Sequence, residues 1–385
     1  MTIEQHVAQA RDIIDDLSFP SVVEWKKNTP NGKAIGTFPV YVPVEIIHAA
    51  GMLPVGIHGA GGRLEIDHAD SRIQSFVCSI VRSTLELGLQ KKTDIIDGFF
   101  FPSICDAARN LSGIWTTNFP QHLTEHIHLP QNMSSAASLP YYAGELRRLS
   151  QKLEKFTGTT VTDEQVRWSV ALYNENRRLT RLLYDMKRTE PWKVSTYELF
   201  VLLKYGTMIP VETHNEILKQ VMQEAQKSQR LKRDYVRVVL EGSFCEQPPT
   251  ELLQVMEEAG CYIVNDDLLI QTRWFHHDVA LDGDPYENLS RAYLQDSVHS
   301  SVRHYGDKPR KFSLIERFRE ANADGIIFCT AKFCEPALLD YVVMKDQVEK
   351  EGIAYLAFEF EEKMGVFESI RSQIETFTES ILFFT

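Results

Sequence analysis

The sequence predicts an α/β protein with two open, mostly parallel sheets and a helical segment between them. Three observations carry that expectation. Continuous apolar runs of strand length, such as IIDGFFFP (95–102) and IAYLAFEF (353–360), suit strands covered on both faces, as parallel sheets require. Patterns of helical period alternate with such runs near both ends of the chain. From Ala143 to about Gln229 the helical period continues with no strand-like run. The 385 residues suffice for two or three domains at ~150 residues each. The expected division is an N-terminal helical region (1–35), a first α/β domain (36–142), a helical segment (143–229) and a second α/β domain (230–385).

In chain order, MTIEQHVAQARDIIDDL reads as an amphipathic helix, followed by a stretch of turn formers and prolines, SFPSVVEWKKNTPNGKAIGTFPVYVP. VEIIHAAGM (44–52) reads as a short helix ending at Gly51, LPVGIH (53–58) as a strand, residues 76–90 as a helix, 95–102 as a buried strand and HIHLP (126–130) as a further strand. Thr162 followed by Gln165 matches a capping box that opens a long helix. Alternation returns with a strand at 236–243, a helix at 250–259 and a strand at 261–267. It continues with a helix at 313–323, a strand at 324–330, a helix at 334–350, a strand at 353–360 and a closing helix at 367–381. The sequence shows no short internal repeat and does not mark the two α/β units as duplicates.

Composition narrows the function. Hydrophobic residues make up 43% and charged residues 24%, an ordinary globular balance. No apolar run approaches the ~20 residues that cross a bilayer. The N-terminus has acids where a signal peptide has bases, so the expected location is the cytoplasm. A net charge of −12 argues against a nucleic-acid partner, because phosphate contact needs clustered Lys and Arg. In a reducing compartment the six cysteines are small core residues, reactive thiols or metal ligands rather than disulfides.

Three of those cysteines stand where chemistry is expected. Cys105 lies just beyond the strand FFFP and Cys334 just beyond GIIFCT; open α/β sheets bind ligands outside the carboxyl ends of their strands. Cys78 opens a helix, where unpaired N–H groups and the helix dipole favour thiolate. Three thiolates from separated loops can hold an iron–sulfur cluster, although the spacing is not a compact ferredoxin run and a lone intracellular cysteine ordinarily packs as a small hydrophobe. Cys245, after another strand end, is a rival ligand or active thiol, whereas Cys261 and Cys329 read as core.

Other features are weaker. GIHGAGGRL (56–64) lacks the G-x-G-x-x-G spacing and reads as a turn, and no P-loop motif is present. Of His122, His126 and His128, the last two alternate as on one strand face and read as a metal pair or, more ordinarily, as solvent-facing or hydrogen-bonded side chains. Glu45 opens a helix and is either a proton donor or a helix-start acid. The basic residues of the helical segment read as a solvated face or as contacts to phosphate.

GTFPVYVPVEIIHAAGMLPVGI, the Cys78 segment, FFPSICDAARN, VVLEGSFCEQPPTELLQVMEEAGCYIVNDD, KFCEPALLDY and RSQIETFTES together resemble the 2-hydroxyacyl-CoA dehydratase / benzoyl-CoA reductase family. They span nearly the whole chain from about residue 35 and are most similar to the smaller cluster-bearing subunits of the ATP-dependent reductases. The resemblance implies two α/β domains with a [4Fe–4S] cluster held near their junction by Cys78, Cys105 and Cys334. It implies a heterodimer with a homologous larger cluster-bearing subunit, a separate ATP-hydrolysing iron–sulfur activator, and a low-potential ferredoxin as electron source. It implies a CoA-thioester substrate, with Glu45 near the thioester as the candidate proton donor. The reaction implied is two-electron reduction of the benzoyl-CoA ring. The family's alternative is loss of water from a 2-hydroxyacyl-CoA by a ketyl-radical route.

Overall fold

The computed structural model describes residues 1–268, 277–297 and 310–384. Two helices lead in: α1 (Ile3–Asp15), opened by a Thr2–Gln5 capping box, and α2 (Pro20–Asn28). The first sheet follows through β1 (Ala34–Thr37), α3 (Val44–Ala49), β2 (Leu53–Gly56), α4 (Ser79–Leu89), β3 (Gly98–Pro102), α5 (Asp106–Asn118) and β4 (Leu123–Ile127). Its strands are all parallel, in the order β2-β1-β3-β4. The strand β1 lies in the stretch expected to hold only turns and prolines. It is four residues long, too short to show a pattern, and is held by neighbours on both sides. Gly36 at its centre is required by packing: a Cβ there would stand 2.6 Å from the ring of Phe99.

Four helices follow: α6 (Ser138–Thr157), α7 (Asp163–Thr189), α8 (Thr196–Gly206) and α9 (Val211–Lys227). The expected capping box at Thr162 and Gln165 opens α7, and Ser195 with Glu198 repeats the device at α8. The second sheet is built by β5 (Val236–Glu241), α10 (Thr250–Glu258), β6 (Cys261–Asp266), α11 (Pro285–Asp296), α12 (Arg310–Glu320), β7 (Gly325–Ala331), α13 (Glu335–Lys350), β8 (Tyr355–Phe360) and α14 (Glu368–Phe384). It is also all parallel, in the order β6-β5-β7-β8. The fold is therefore α/β with two parallel sheets, and both share one strand order: second, first, third, fourth.

That shared order positions the site. In each sheet the connections leave in opposite directions from the first and third strands, which opens a crevice at their carboxyl ends, between β1 and β3 and between β5 and β7. One apolar core runs continuously through both halves and the helical segment. The basic side chains of the helical segment are not all solvated. Lys187 is buried against Asp266 of β6, and Asp266 also accepts from the Tyr184 hydroxyl at 2.9 Å. Among the described residues, no helix is long and apolar enough to cross a membrane.

Candidate functional site

Cys78, Cys105 and Cys334 each occupy the residue that caps a helix N-terminus, of α4, α5 and α13 respectively. The first two come from the first half of the molecule and the third from the second. Cys105 Sγ accepts the Ala108 N–H at 3.5 Å, a weak sulfur cap. Cys334 follows Phe333, whose φ of 63° is a left-handed conformation that a bulky side chain adopts only when its surroundings force it. Cys78 and Cys334 are buried, Cys105 is partly so, and none is in a disulfide.

The three thiols share one electrostatic neighbourhood, and Cys245 joins it. Burial pushes the Cys78 thiol well up, and Glu246, Cys334 and Cys105 push it further. Burial raises Cys105 to about 11 against the pull of the Ala108 N–H, with Cys334 adding to the rise. A hydrogen bond with Cys334 is the leading cause holding Cys245 protonated, followed by burial and the charges of Cys334, Cys105 and Cys78. A group of thiols this crowded and dry ionises together only around a positive centre.

The donors on this seam are thiols from three separate helix N-termini, soft ligands of the type that suit iron–sulfur and zinc centres. Ligands to one zinc-like ion, with bonds of ~2.3 Å, stand within roughly 4 Å of one another. Among the described residues no group of three or more His, Cys, Asp or Glu side chains has the arrangement of such a site. Thiolates on a cuboidal cluster each hold their own iron and stand wider apart. Three converging helix N-termini would offset the negative charge of a thiolate-bound cluster.

Two buried carboxyls knit the halves together beside the thiols. Glu246, after β5, accepts the Ile80 N–H of α4 at 3.1 Å, and burial and nearby Glu362 raise it well above the usual carboxylate range. Glu362, after β8, accepts from Ser83 Oγ at 2.9 Å and from the backbone of Gly62 and Ala60; burial raises it, with these hydrogen bonds opposing. The glycine cluster at 56–64 therefore receives a carboxylate of the chain itself. Gly59 has φ 72°, and a Cβ there would overlap Glu362 Oε1.

Glu45 stands apart from the thiols. It lines a separate apolar pocket of about 130 Å³ walled by Phe38, Val42, Val44, Pro54, Ile209 and Val211, and none of the four thiols lines it. Glu45 Oε1 accepts from Arg177 Nη1 at 2.7 Å, and Arg177 Nη2 donates to Asn174 Oδ1 at 2.8 Å. Glu45 Oε2 is buried with no partner among the described residues. His58 also borders the pocket. Burial and the Lys204 charge hold it neutral, down to about 3. Thr207 Oγ1 gives its proton to the Lys204 carbonyl at 2.7 Å, so His58 Nε2, 3.0 Å away, carries the hydrogen and leaves Nδ1 bare. Sequence reasoning did not single out Arg177 or His58; only the partners of Arg177, far away in sequence, distinguish it from a surface base.

The three histidines of HLTEHIHLP have local roles. His122 accepts from Trp115 Nε1 at 3.3 Å and stacks in the Phe99–Phe119 aromatic group, and His126 meets Ser112 Oγ at 3.3 Å and packs edge-on to His128.

Fold and site together define a two-sheet α/β protein that gathers buried thiols on the seam between its halves. The chain belongs to the family described as 2-hydroxyglutaryl-CoA dehydratase, D-component (HGD-D), whose model matches residues 39–381. It is 42% identical over 383 residues to a subunit of the benzoyl-CoA reductase of Thauera aromatica, covering 99% of both chains. It is 29% identical to the beta subunit of lactoyl-CoA dehydratase of Anaerotignum propionicum, over 98% of this chain and 99% of that one. Identity is 24% to the beta subunit of (R)-2-hydroxyglutaryl-CoA dehydratase of Acidaminococcus fermentans, over 94% and 96%. These relatives are named as subunits of their enzymes.

Proposed function

We propose that this chain is the iron–sulfur subunit of an ATP-dependent benzoyl-CoA reductase, taking part in reduction of the aromatic ring by two electrons to a cyclohexadiene-carbonyl-CoA. The observation that carries the reading is the meeting of Cys78, Cys105 and Cys334, each at a helix N-terminus, on the buried seam. The preference for reductase over dehydratase rests on identity: 42% to the reductase subunit against 29% and 24% to the two dehydratase subunits.

In this reading the three cysteines hold a [4Fe–4S] cluster, which when bound supplies single electrons at low potential. The chain's own residues set its surroundings. Burial of Cys78 and Cys334 keeps water from the sulfurs; the thiolates would be held charged by the bound irons, with the helix N-termini adding to that stabilisation. The pocket at Glu45 has the size for an aromatic ring, since an apolar cavity of ~150 Å³ holds benzene. There Arg177 pairs with the carboxylate through Oε1, and Oε2, which has no partner among the described residues, is the atom that would take up a proton and hand it to a bound thioester. The other half of the heterodimer is a homologous, larger, cluster-bearing chain. An ATP-hydrolysing iron–sulfur activator delivers electrons drawn from a low-potential ferredoxin, and the complex works in the cytoplasm under anaerobic conditions.

The test is anaerobic co-expression with the partner and activator, followed by assay with benzoyl-CoA and with a 2-hydroxyacyl-CoA. ATP-dependent conversion of benzoyl-CoA to a dienoyl-CoA is expected. Turnover of the hydroxy compound alone would replace the reading with a dehydratase subunit.

A further inference from the structure

The pocket at Glu45 is walled mostly by apolar side chains, and the few polar ones decide what it can hold. We propose that the Tyr173 hydroxyl donates a hydrogen bond to the thioester carbonyl of the bound acyl group and thereby seats the substrate in this pocket. The proposal rests on the reading of the pocket as the site of the aromatic ring.

Most polar side chains of the wall have committed their protons. Thr37 Oγ1 donates to the Val55 carbonyl at 3.2 Å, and Thr207 Oγ1 to the Lys204 carbonyl at 2.7 Å. His58 directs its one hydrogen from Nε2 to Thr207, which leaves Nδ1 as an acceptor. Asn176 Nδ2 lies 2.9 Å from His214 Nδ1 and 2.7 Å from Asn215 Oδ1, one partner for each of its hydrogens. Arg177 directs its two terminal nitrogens to Glu45 and Asn174. Tyr173 differs: it lines the pocket, and its hydroxyl makes no hydrogen bond among the described residues.

The packing fixes the Tyr173 ring without using its hydroxyl. Tyr173 stands one turn before Arg177 on α7, and the two side chains meet two residues of α3 that are themselves one turn apart, His48 and Glu45. His48 packs edge-on to the Tyr173 ring, with centres 5.8 Å apart and planes at 83°. Both imidazole nitrogens are engaged elsewhere, Nδ1 with Ser169 Oγ at 2.8 Å and Nε2 with Glu212 Oε1 at 3.2 Å. The imidazole therefore positions the ring and takes no bond from the phenol. Burial raises the Tyr173 hydroxyl well above its ordinary pKa, and the charges of Glu45 and Glu212 raise it further, so it keeps its proton.

Donor and acceptor then match. A benzoyl thioester brings an apolar ring and one strong acceptor, its carbonyl oxygen. The apolar walls take the ring, and the Tyr173 hydroxyl takes the oxygen. An ionised Glu45 offers only acceptors, so it cannot fill this role. The carbonyl gains negative charge as electrons enter the conjugated acyl group, and a donor already fixed in place stabilises that charge.

The experiment measures binding to the anaerobic complex with its partner subunit, without activator or reductant, so that no turnover occurs. The ligands are benzoyl-CoA and S-benzyl-CoA, the thioether that has CH2 in place of the carbonyl. Tyr173→Phe is expected to weaken benzoyl-CoA about tenfold and to leave S-benzyl-CoA unchanged. The same factor for both ligands, including no change in either, would overturn the proposal. If Tyr173→Phe does not assemble, 3-fluorotyrosine at position 173 decides. As a stronger donor it should tighten benzoyl-CoA relative to S-benzyl-CoA, and an unchanged ratio rejects the hydrogen bond. Val44→Phe, which fills the pocket, tests the underlying reading separately. It should abolish binding of both ligands; undiminished binding of both would put the acyl group elsewhere and remove this proposal with that reading.

Discussion

Arg177 lies on a long, highly charged helix and its partner is 132 residues away in sequence, so nothing local marks it as buried. In the structure it is the counter-ion of Glu45, and both side chains are nearly inaccessible, at 9% and 1%. Removing one partner of such a pair leaves an uncompensated buried charge, which costs roughly 3–5 kcal/mol. Arg177→Met should therefore destabilise the chain by about that much in denaturant titration, and Arg177→Met combined with Glu45→Gln should recover a large part. Additive losses in the double variant would mean the two groups do not interact. Cys78, Cys105 and Cys334 were more legible, because a cysteine just past a strand or at a helix start is a local feature. Their convergence was not, since it depends on how the halves meet.

At the scale of elements, apolar runs of strand length found β3, β5, β7 and β8, and the Thr162–Gln165 box found the start of α7. The short strand β1 escaped because four residues with a central glycine carry no period; its neighbours β2 and β3 make it a strand. The glycine turn at 56–64 was legible as a turn, but its ligand, Glu362, comes from the far end of the chain. Gly59→Ala meets both a left-handed φ and the Glu362 carboxylate, and should cost roughly 2–3 kcal/mol. Gly158→Ala has a similar φ of 75° with open space around it, and should cost only about 1 kcal/mol. Equal losses in thermal melts would show that the Glu362 seat carries no weight.

The whole molecule repeats one strand order in two sheets and joins them at a seam of buried titratable groups. Buried titratable groups elsewhere in the fold shape its response to pH. Burial holds His58 down to about 3 and His214 to about 4, against an ordinary 6.5. Between those values the unfolded chain binds more protons, so their stabilising contribution is present above pH 6.5 and is lost as the pH falls through about 4 and 3. Glu257 opposes them: burial raises it to about 7, so its contribution is present below 4.5 and lost as the pH rises through about 7. Glu246 and Glu362 are raised as well and act in the same sense as Glu257, so the histidine contribution is isolated by substitution rather than by the net pH profile. His214→Gln should lose about 2 kcal/mol less than wild type on acidification from about pH 7 to 5; parallel losses would exclude His214 as a source.

The seam matters because it is where the thiols meet, and the account stands on their gripping one inorganic centre. Iron and acid-labile sulfide, measured on the anaerobically purified complex as wild type and as Cys105→Ser, test this directly. The account predicts about four irons and four sulfides for this subunit in the wild type and their loss in the variant. A Cys105→Ser subunit that keeps the full complement would contradict it.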